Sequence, residues 1–361
     1  MSFQHQKLLS IIIPVVNEAE HLPALLNCLC GQRGVEFEVV VADGASTDGT
    51  REKVMELTGI LPFPLQLVDS ARGRAKQLNV GADAARGEFL LFIHADTLFD
   101  ETSALAESLK YFRRVAAHTD RQRVAGHFPL RFVRCYSQRA TLSYFYYEAK
   151  SALDRSGCTH GDQGFLLSRR FWDEIGPFDE TLPVLEDTYF AEKVRCQGRW
   201  VLLPAHILTS ARRLEIEGLR PRQTLNALIM NFAAIGWDEF FSEASDVYKR
   251  QDAAERLRLL PFLKLVRRLS GRLPPGRRLR LWYRTGRYVA SQGWQVAFFF
   301  DVCRAYRSGQ SSGRIDTPIL DRFAPLYEKA TDNIPGRFAA TILVWTWFQL
   351  TFLWCFFREN D

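Results

Sequence analysis

The amino-acid sequence predicts an α/β fold, a mostly parallel sheet with helices on both faces, followed by a helical C-terminal region. Three observations carry this expectation. Strand-length apolar runs alternate with segments of helical period through the first hundred residues. Those runs are continuously apolar and β-branched, as strands buried on both faces are, rather than alternating with polar residues. Beyond about Asp252 no strand pattern survives.

The first run, Leu8–Val16, ends at Asn17-Glu18-Ala19-Glu20 and leads into a helix over His21–Cys30. A second strand, Phe37–Ala42, closes on the loop from Asp43 to Thr50, with a helix over Thr50–Leu57 behind it. Leu65–Val68 predicts a short third strand and Arg72–Ala85 a helix; Phe89–Ile93 predicts a fourth strand, ending at His94-Ala95-Asp96-Thr97. Strand, helix, strand, helix is the signature of a parallel sheet, whose ligands bind beyond the carboxyl ends of its strands. Glu18, Asp43, Arg72 and Asp96 each follow one of the four strands and are expected on one rim. After Val124 the pattern is mixed: a strand over Gly126–Phe132, an aromatic-rich helix over Tyr136–Asp154, a strand over Gly161–Leu167, and helices over Asp187–Gln197 and Arg220–Phe232. The expected division is an α/β domain over 1–250 and a basic, mainly helical region over 251–361.

The 361 residues have an ordinary apolar content of 47% and a charged content of 24%, which exclude a disordered or collagen-like chain. The net charge of +6 is unevenly spread. Residues 251–361 hold 18 Lys and Arg against nine Asp and Glu, whereas the first 250 are slightly acidic. Seven cysteines without a CxxC pair suggest neither a zinc ribbon nor a disulfide framework. The polar segment Met1–Lys7 enters the first strand without a signal-peptide pattern, so the working part is expected in a reducing cytoplasm.

Individual residues support two readings each. Asp43 either caps the helix after its loop or accepts an N–H from a nucleotide base. Asp96 at a strand end suits a divalent ion bridging phosphates, since Mg²⁺ is held by one or two carboxylates plus substrate oxygens. His94 is a satisfied histidine or a backbone contact to the nucleotide rather than a metal ligand. Glu186 and Asp187 open a helix, where acids favour the dipole, yet a carboxylate is also what a hydroxyl acceptor needs as general base. Arg212 and Arg213 form a solvated face or clamp a departing diphosphate, which guanidinium matches bidentately.

In order, SIIIPVVNEAEHL, VVVADGASTDGT, ARGRAKQLNVGA, GEFLLFIHADT, GDQGFLLSRR and LPVLEDTYFAEKVRCQGRW closely resemble family 2 glycosyltransferases of the GT-A (Rossmann-like) fold over residues 8–250. ARGRAKQLN, HADT and GDQG look most like the subgroup labelled arsenosugar-biosynthesis-type glycosyltransferases. The resemblance implies an inverting single displacement from a nucleotide-diphosphate sugar, by preference a UDP-sugar, to an acceptor hydroxyl. It implies that Pro14, Val16, Glu18 and Asp43 hold base and ribose with Arg72 beside the base, and that His94 and Ala95 also contact the nucleotide. Asp96 would bind Mg²⁺ or Mn²⁺, and Asp187, beside Glu186, would be the base. Gly161, Asp162, Gln163 and Gly164 would line the acceptor or sugar side, with Arg212 and Arg213 near the diphosphate. His94 stands where the family's Asp-x-Asp motif has its first acid, and the Gln-x-x-Arg-Trp motif of processive synthases is absent.

Residues 256–307 contain 13 Arg and Lys and one acid, Asp301, and residues 338–357 carry no charge over a span-length run. That run reads as a membrane span, an in-plane helix or a buried helix. With the polybasic stretch, it predicts membrane association through 256–357 at the inner face, which suits a lipid-linked acceptor. Arginines interleaved with Leu and Val at helical spacing do not form a stacking platform, so no nucleic-acid partner is expected. Two other classes compete with this reading. A non-catalytic membrane scaffold with a degenerate transferase domain is favoured only by His94. A sugar nucleotidylyltransferase lacks its Gly-rich first loop here.

Overall fold

The computed structural model describes residues 9–119, 122–134, 141–182, 184–249, 256–331 and 333–360. They form two units, each with its own core. The first holds the described residues up to Val133, those from 141 to Ser210, and 311–314; the second holds those from Ala211 to Gln310 and from Ile315 onward. Residues 211–249, assigned with the first domain on sequence pattern, thus fold with the helical region.

In the first unit β1 (Leu9–Val15), β2 (Phe37–Asp43), β3 (Leu65–Asp69) and β4 (Phe89–Phe92) are parallel, and β5 (Val124–His127), β7 (Phe165–Ser168) and β8 (Arg199–Leu202) complete a seven-stranded sheet in the order β3-β2-β1-β4-β7-β5-β8. Strand β7 is antiparallel to both neighbours, so the sheet is mixed. A second, two-stranded sheet pairs β6 (Leu130–Val133) with β9 (Ile207–Ser210). Alternate residues of β1 point to opposite faces, and both faces are covered. Leu9, Ile11 and Ile13 pack in one core with residues of α1 (Leu22–Cys30), α2 (Thr50–Leu57) and α4 (Ala104–Ala117). Ile12, Leu90 and Phe92 pack in the other with α3 (Arg74–Ala84), α6 (Arg169–Ile175) and α7 (Glu186–Gln197). Two-sided burial is why these strands read as unbroken apolar runs. This is the GT-A-like layering that the resemblance implies.

Three expectations change in detail. The single strand over Gly126–Phe132 is two, β5 and β6, in different sheets; Pro129 between them has no N–H for a ladder. The strand over Gly161–Leu167 begins only at Phe165, because Gly161–Gln163 forms a 3-10 turn and Gly164 takes φ +63°. Of the helix over Tyr136–Asp154, α5 spans Leu142–Ser151, and 136–140 lie outside the described residues.

The second unit is helical: α8 (Arg212–Glu217), α9 (Leu219–Ala234), α10 (Asp238–Lys249), α11 (Leu260–Arg272), α12 (Pro275–Ser291), α13 (Trp294–Arg307), α14 (Pro318–Thr331) and α15 (Ile334–Asn360). Its core joins Leu225, Phe232 and Phe240 to Phe262, Leu263 and Val266 of α11, and to Phe348, Phe352 and Cys355 of α15.

Candidate active site

The loops after β1 and β2 are tied into one cradle. Register places Val15 opposite Asp43, and the Gly44 N–H donates to the Val15 carbonyl. Asn17 N–H donates to Ser46 Oγ, Glu18 N–H to Thr50 Oγ1 and Ala19 N–H to Asp48 Oδ2, all within 3.0 Å, while Asn17 Oδ1 accepts from Thr47 N–H. Gln77 of α3 locks the strand ends from below, its amide donating to the Val15 and Ala42 carbonyls. A Cβ at Gly44 would stand 2.7 Å from Val16 and 2.9 Å from Gln77, so only glycine permits this approach. Asn17 and Ala45 hold positive φ here, strain of about 1–3 kcal/mol each that such a bonded loop sustains.

Asp43 is buried beneath the cradle. Ser46 N–H and the Arg51 guanidinium (2.9 Å) reach its carboxylate; burial pushes its pKa up, but these bonds outweigh that and hold it below the usual range. Asp43 does not cap α2, whose N-cap is Gly49; the Thr50 N–H at its start donates to Asp48 Oδ1 at 3.0 Å. Pro14, Val16, Glu18 and Asp43 therefore share one rim, as expected of parallel strand ends. Arg72 is exposed in the loop before α3.

A second cluster lies past β4, at the start of α7. Leu185, at φ +66°, turns the chain so that Glu186 and Asp187 open α7. Asp187 Oδ2 accepts from the Gly161 N–H at 2.6 Å and Oδ1 from the Thr188 N–H at 2.7 Å. A Cβ on Gly161 would come within 3.0 Å of that carboxylate oxygen and 3.2 Å of His94 Nε2, so the GDQG segment is shaped around Asp187. Burial raises the Asp187 pKa, but His160, the Gly161 N–H, Arg74 and His94 outweigh it and keep the carboxyl ionised. Glu186 goes the other way: burial and neighbouring Asp187 raise it, against an Arg74 ion pair at 3.5 Å. Two adjacent carboxyls are thus pushed apart in acidity, a pattern that marks functional sites.

His94 is driven down to about 4 by burial and by Arg74, so it is neutral at pH 7, with Asp96 and Asp187 opposing the shift. Arg74, His94, Gly161 and Asp187 line a void of about 10 Å³ with Leu78, Phe92, Phe165 and Phe178, room for about one water. The structure therefore brings His94, Gly161, Glu186 and Asp187 together, with Asp96 and Asp162 in electrostatic reach. Two residues join that no sequence argument singled out. Arg74 lies inside ARGRAKQLN, where Arg72 drew the attention; His160 immediately precedes GDQG and bonds Thr188 Oγ1 at 3.0 Å. Gln163 is buried and ties the turn together through the Cys158 carbonyl.

For a divalent ion, Asp162 gives the relevant observation. Its Oδ1 is buried with no hydrogen-bond partner, and burial, then Asp187 and Asp96, raise its pKa against the pull of His160. An orphaned carboxylate oxygen in the field of Asp96 fits an ion taking its other ligands from a diphosphate and water. Among the described residues no group of three His, Cys, Asp or Glu side chains could hold an ion by itself.

Arg212 and Arg213 begin α8 in the second unit. Arg213 Nε donates to Glu217 at 3.0 Å, and its guanidinium lies 5.2 Å over the Tyr248 ring.

Residues 10–176 match the model for glycosyl transferase family 2. Over 192 residues the chain is 30% identical to a PGL/p-HBAD biosynthesis glycosyltransferase of Mycobacterium bovis, a match spanning 52% of this chain and 68% of that one. It is 39% identical over 90 residues to the poly(ribitol-phosphate) beta-N-acetylglucosaminyltransferase TarS of Staphylococcus aureus, spanning 24% of this chain and 16% of that one. Among solved structures, a mannosyltransferase from Pyrobaculum calidifontis in complex with GDP-Man and Mn²⁺ aligns with a TM-score of 0.49 at 19% identity, covering 97% of this chain and 88% of that one.

Proposed function

The chain belongs to glycosyl transferase family 2 and is a glycosyltransferase, and from that premise we propose that it takes its sugar from a nucleotide-sugar donor and works by inverting single displacement with Asp187 as the base. The observation that carries this reading is the Asp187 carboxylate. It is held ionised and aimed by the Gly161 N–H, in the same unit as the cradle formed by the loops after β1 and β2.

In-line attack at the anomeric carbon needs a base on the acceptor side and positive charge toward the leaving diphosphate. Asp187 takes the acceptor hydroxyl proton. Arg74 holds Glu186 and its charge acts on Asp187, keeping the base oriented. Asp96, with Asp162 beside it, would hold Mg²⁺ or Mn²⁺; such an ion supplies positive charge to the departing diphosphate. His94 and Ala95 would meet the nucleotide through a neutral imidazole and the backbone. Pro14, Val16, Glu18, Asp43 and Arg72 would take base and ribose of a UDP-sugar, and Gly161–Gly164 the acceptor or sugar side. Arg212 and Arg213 are assigned to the diphosphate by the family resemblance alone, with 1–250 as the glycosyltransferase domain and 251–361 as the basic helical region. The arsenosugar-biosynthesis-type subgroup, a lipid-linked acceptor, membrane association through 256–357 and a cytoplasmic position at the inner face complete the reading. A degenerate scaffold does not account for an ionised, aimed Asp187.

A thermal-shift series tests donor and metal together. A UDP-sugar should raise the melting temperature more with Mn²⁺ than with EDTA, and Asp96→Ala should abolish the difference. Equal shifts in the parent protein with Mn²⁺ and EDTA remove the metal; no shift with any nucleotide sugar removes the donor assignment.

A further inference from the structure

Helix α15 is long and apolar enough to cross a bilayer by length and composition. Its packing within the second unit argues for a different arrangement. Thr341, Phe348, Phe352 and Cys355 turn inward. Thr341 meets Gly286 of α12 so closely that a Cβ there would stand 2.3 Å from Thr341 Oγ1. Trp282 of α12 packs on Phe348 with ring centroids 5.2 Å apart, and Tyr283 on Phe338 at 5.3 Å. From α11, Arg267 lies 4.7 Å over the Phe352 ring and Lys264 5.8 Å over Phe356. Helices α11 and α12 thus accompany α15 from Phe338 to Phe356, about 27 Å at 1.5 Å per residue, nearly the whole thickness of a hydrocarbon core.

Those two companions cannot follow α15 across a membrane. Lys264, Arg267 and Arg268 of α11 and Arg277, Arg278, Arg280, Arg284 and Arg287 of α12 are all exposed. Arginine and lysine are among the costliest side chains at bilayer depth. On its outer side α15 presents Leu343 (71% exposed), Leu350 (63%), Trp354 (58%) and Phe357 (65%), spaced seven, four and three residues apart and so on one stripe. Apolar surface bordered by exposed cations, two of which lie over its aromatic rings, is the arrangement of an in-plane helix. The one acid within 256–307 does not weaken that border: Asp301 is buried, and its two oxygens accept from the Ile319 and Leu320 N–H groups at 3.1 and 2.8 Å.

Building on the membrane association already proposed, we propose that α15 lies in the plane of an anionic phospholipid leaflet. Its Leu343–Phe357 stripe enters the acyl boundary, and the α11 and α12 cations bind lipid phosphates beside it. A second copy of the chain is a poorer occupant, because a two-fold contact would set these cations against themselves. A nucleic acid would leave the apolar stripe uncovered.

The purified full chain should co-sediment with vesicles containing phosphatidylglycerol at least about tenfold better than with phosphatidylcholine alone, and high salt should weaken this. Leu343→Glu with Leu350→Glu, both at exposed positions, should melt like the parent and lose vesicle binding. In bacterial cells, export-dependent β-lactamase fused to either terminus of the membrane-bound chain should stay inactive, both ends lying on one side. No vesicle binding by the parent overturns membrane association and this inference with it. Binding with an exported C-terminus leaves membrane association standing and overturns the in-plane arrangement, and a double variant that binds like the parent overturns the stripe.

Discussion

Around the candidate site the first unit sets its charges against one another at short range, whereas the second unit turns most of its cations outward. Asp187, Glu186, Asp162 and Asp96 share one small region with Arg74, His94 and His160, and several have displaced pKa values as a result. The cations of α11 and α12 are exposed, and Lys264 and Arg267 of α11 lie over the Phe356 and Phe352 rings. Charge in half-buried surroundings changes proton affinity and so serves chemistry; charge in water attracts at a distance and so serves location.

The largest test of this contrast is Asp187→Asn. Turnover should fall by about 10²–10⁴-fold, the range of a lost general base, while donor affinity measured by calorimetry stays close to the parent. Turnover within twofold of the parent would end the base assignment.

Acid should separate the two units. Burial lowers His127 to about 4 and, with Arg74, His94 to about 4, so both stay neutral when folded at a pH where the unfolded chain protonates them. The unfolded state then binds more protons, and stability falls as pH drops from about 6.5 to about 4. Each histidine contributes up to about 3 kcal/mol to that fall. In the second unit Glu217, paired with Arg213 and Arg222, is held below its usual range despite burial, so its contribution is lost only at lower pH. Hydrogen exchange across a pH series should show the first unit loosening first. His127→Phe should flatten its slope between pH 6.5 and 4; an unchanged slope would count against this origin.

A smaller effect is expected from Gly161→Ala. The added methyl must move the Asp187 carboxylate by a few tenths of an ångström, and turnover should fall about tenfold, since misplacement by 1 Å can cost 10². The melting temperature should change little. A fall in stability with turnover intact would assign Gly161 to folding alone.

Much of the first unit was legible because each clue is local. The runs over Leu8–Val16 and Phe37–Ala42 are apolar on both faces, and the acids that follow them sit where parallel strands end. The turn over Gly161–Gln163 was not legible as such, because its conformation answers to Asp187, 26 residues further on. Arg74 was passed over for Arg72 for a similar reason: both follow the third strand in sequence, and only the start of α3 decides which one reaches Glu186.

By itself the sequence determined the layered α/β architecture, the helical character of the last hundred residues, the family and the short motifs from which the site is built. Hydrophobic period and motif order are properties of neighbouring residues and need no third dimension. Tertiary structure decided the rest. It paired β7 antiparallel and placed 211–249 in the helical unit. It also set the two adjacent carboxyls apart in acidity and laid α15 against arginine-bearing helices. Proton affinity and exposure depend on what approaches a side chain from elsewhere in the chain, which no local pattern records.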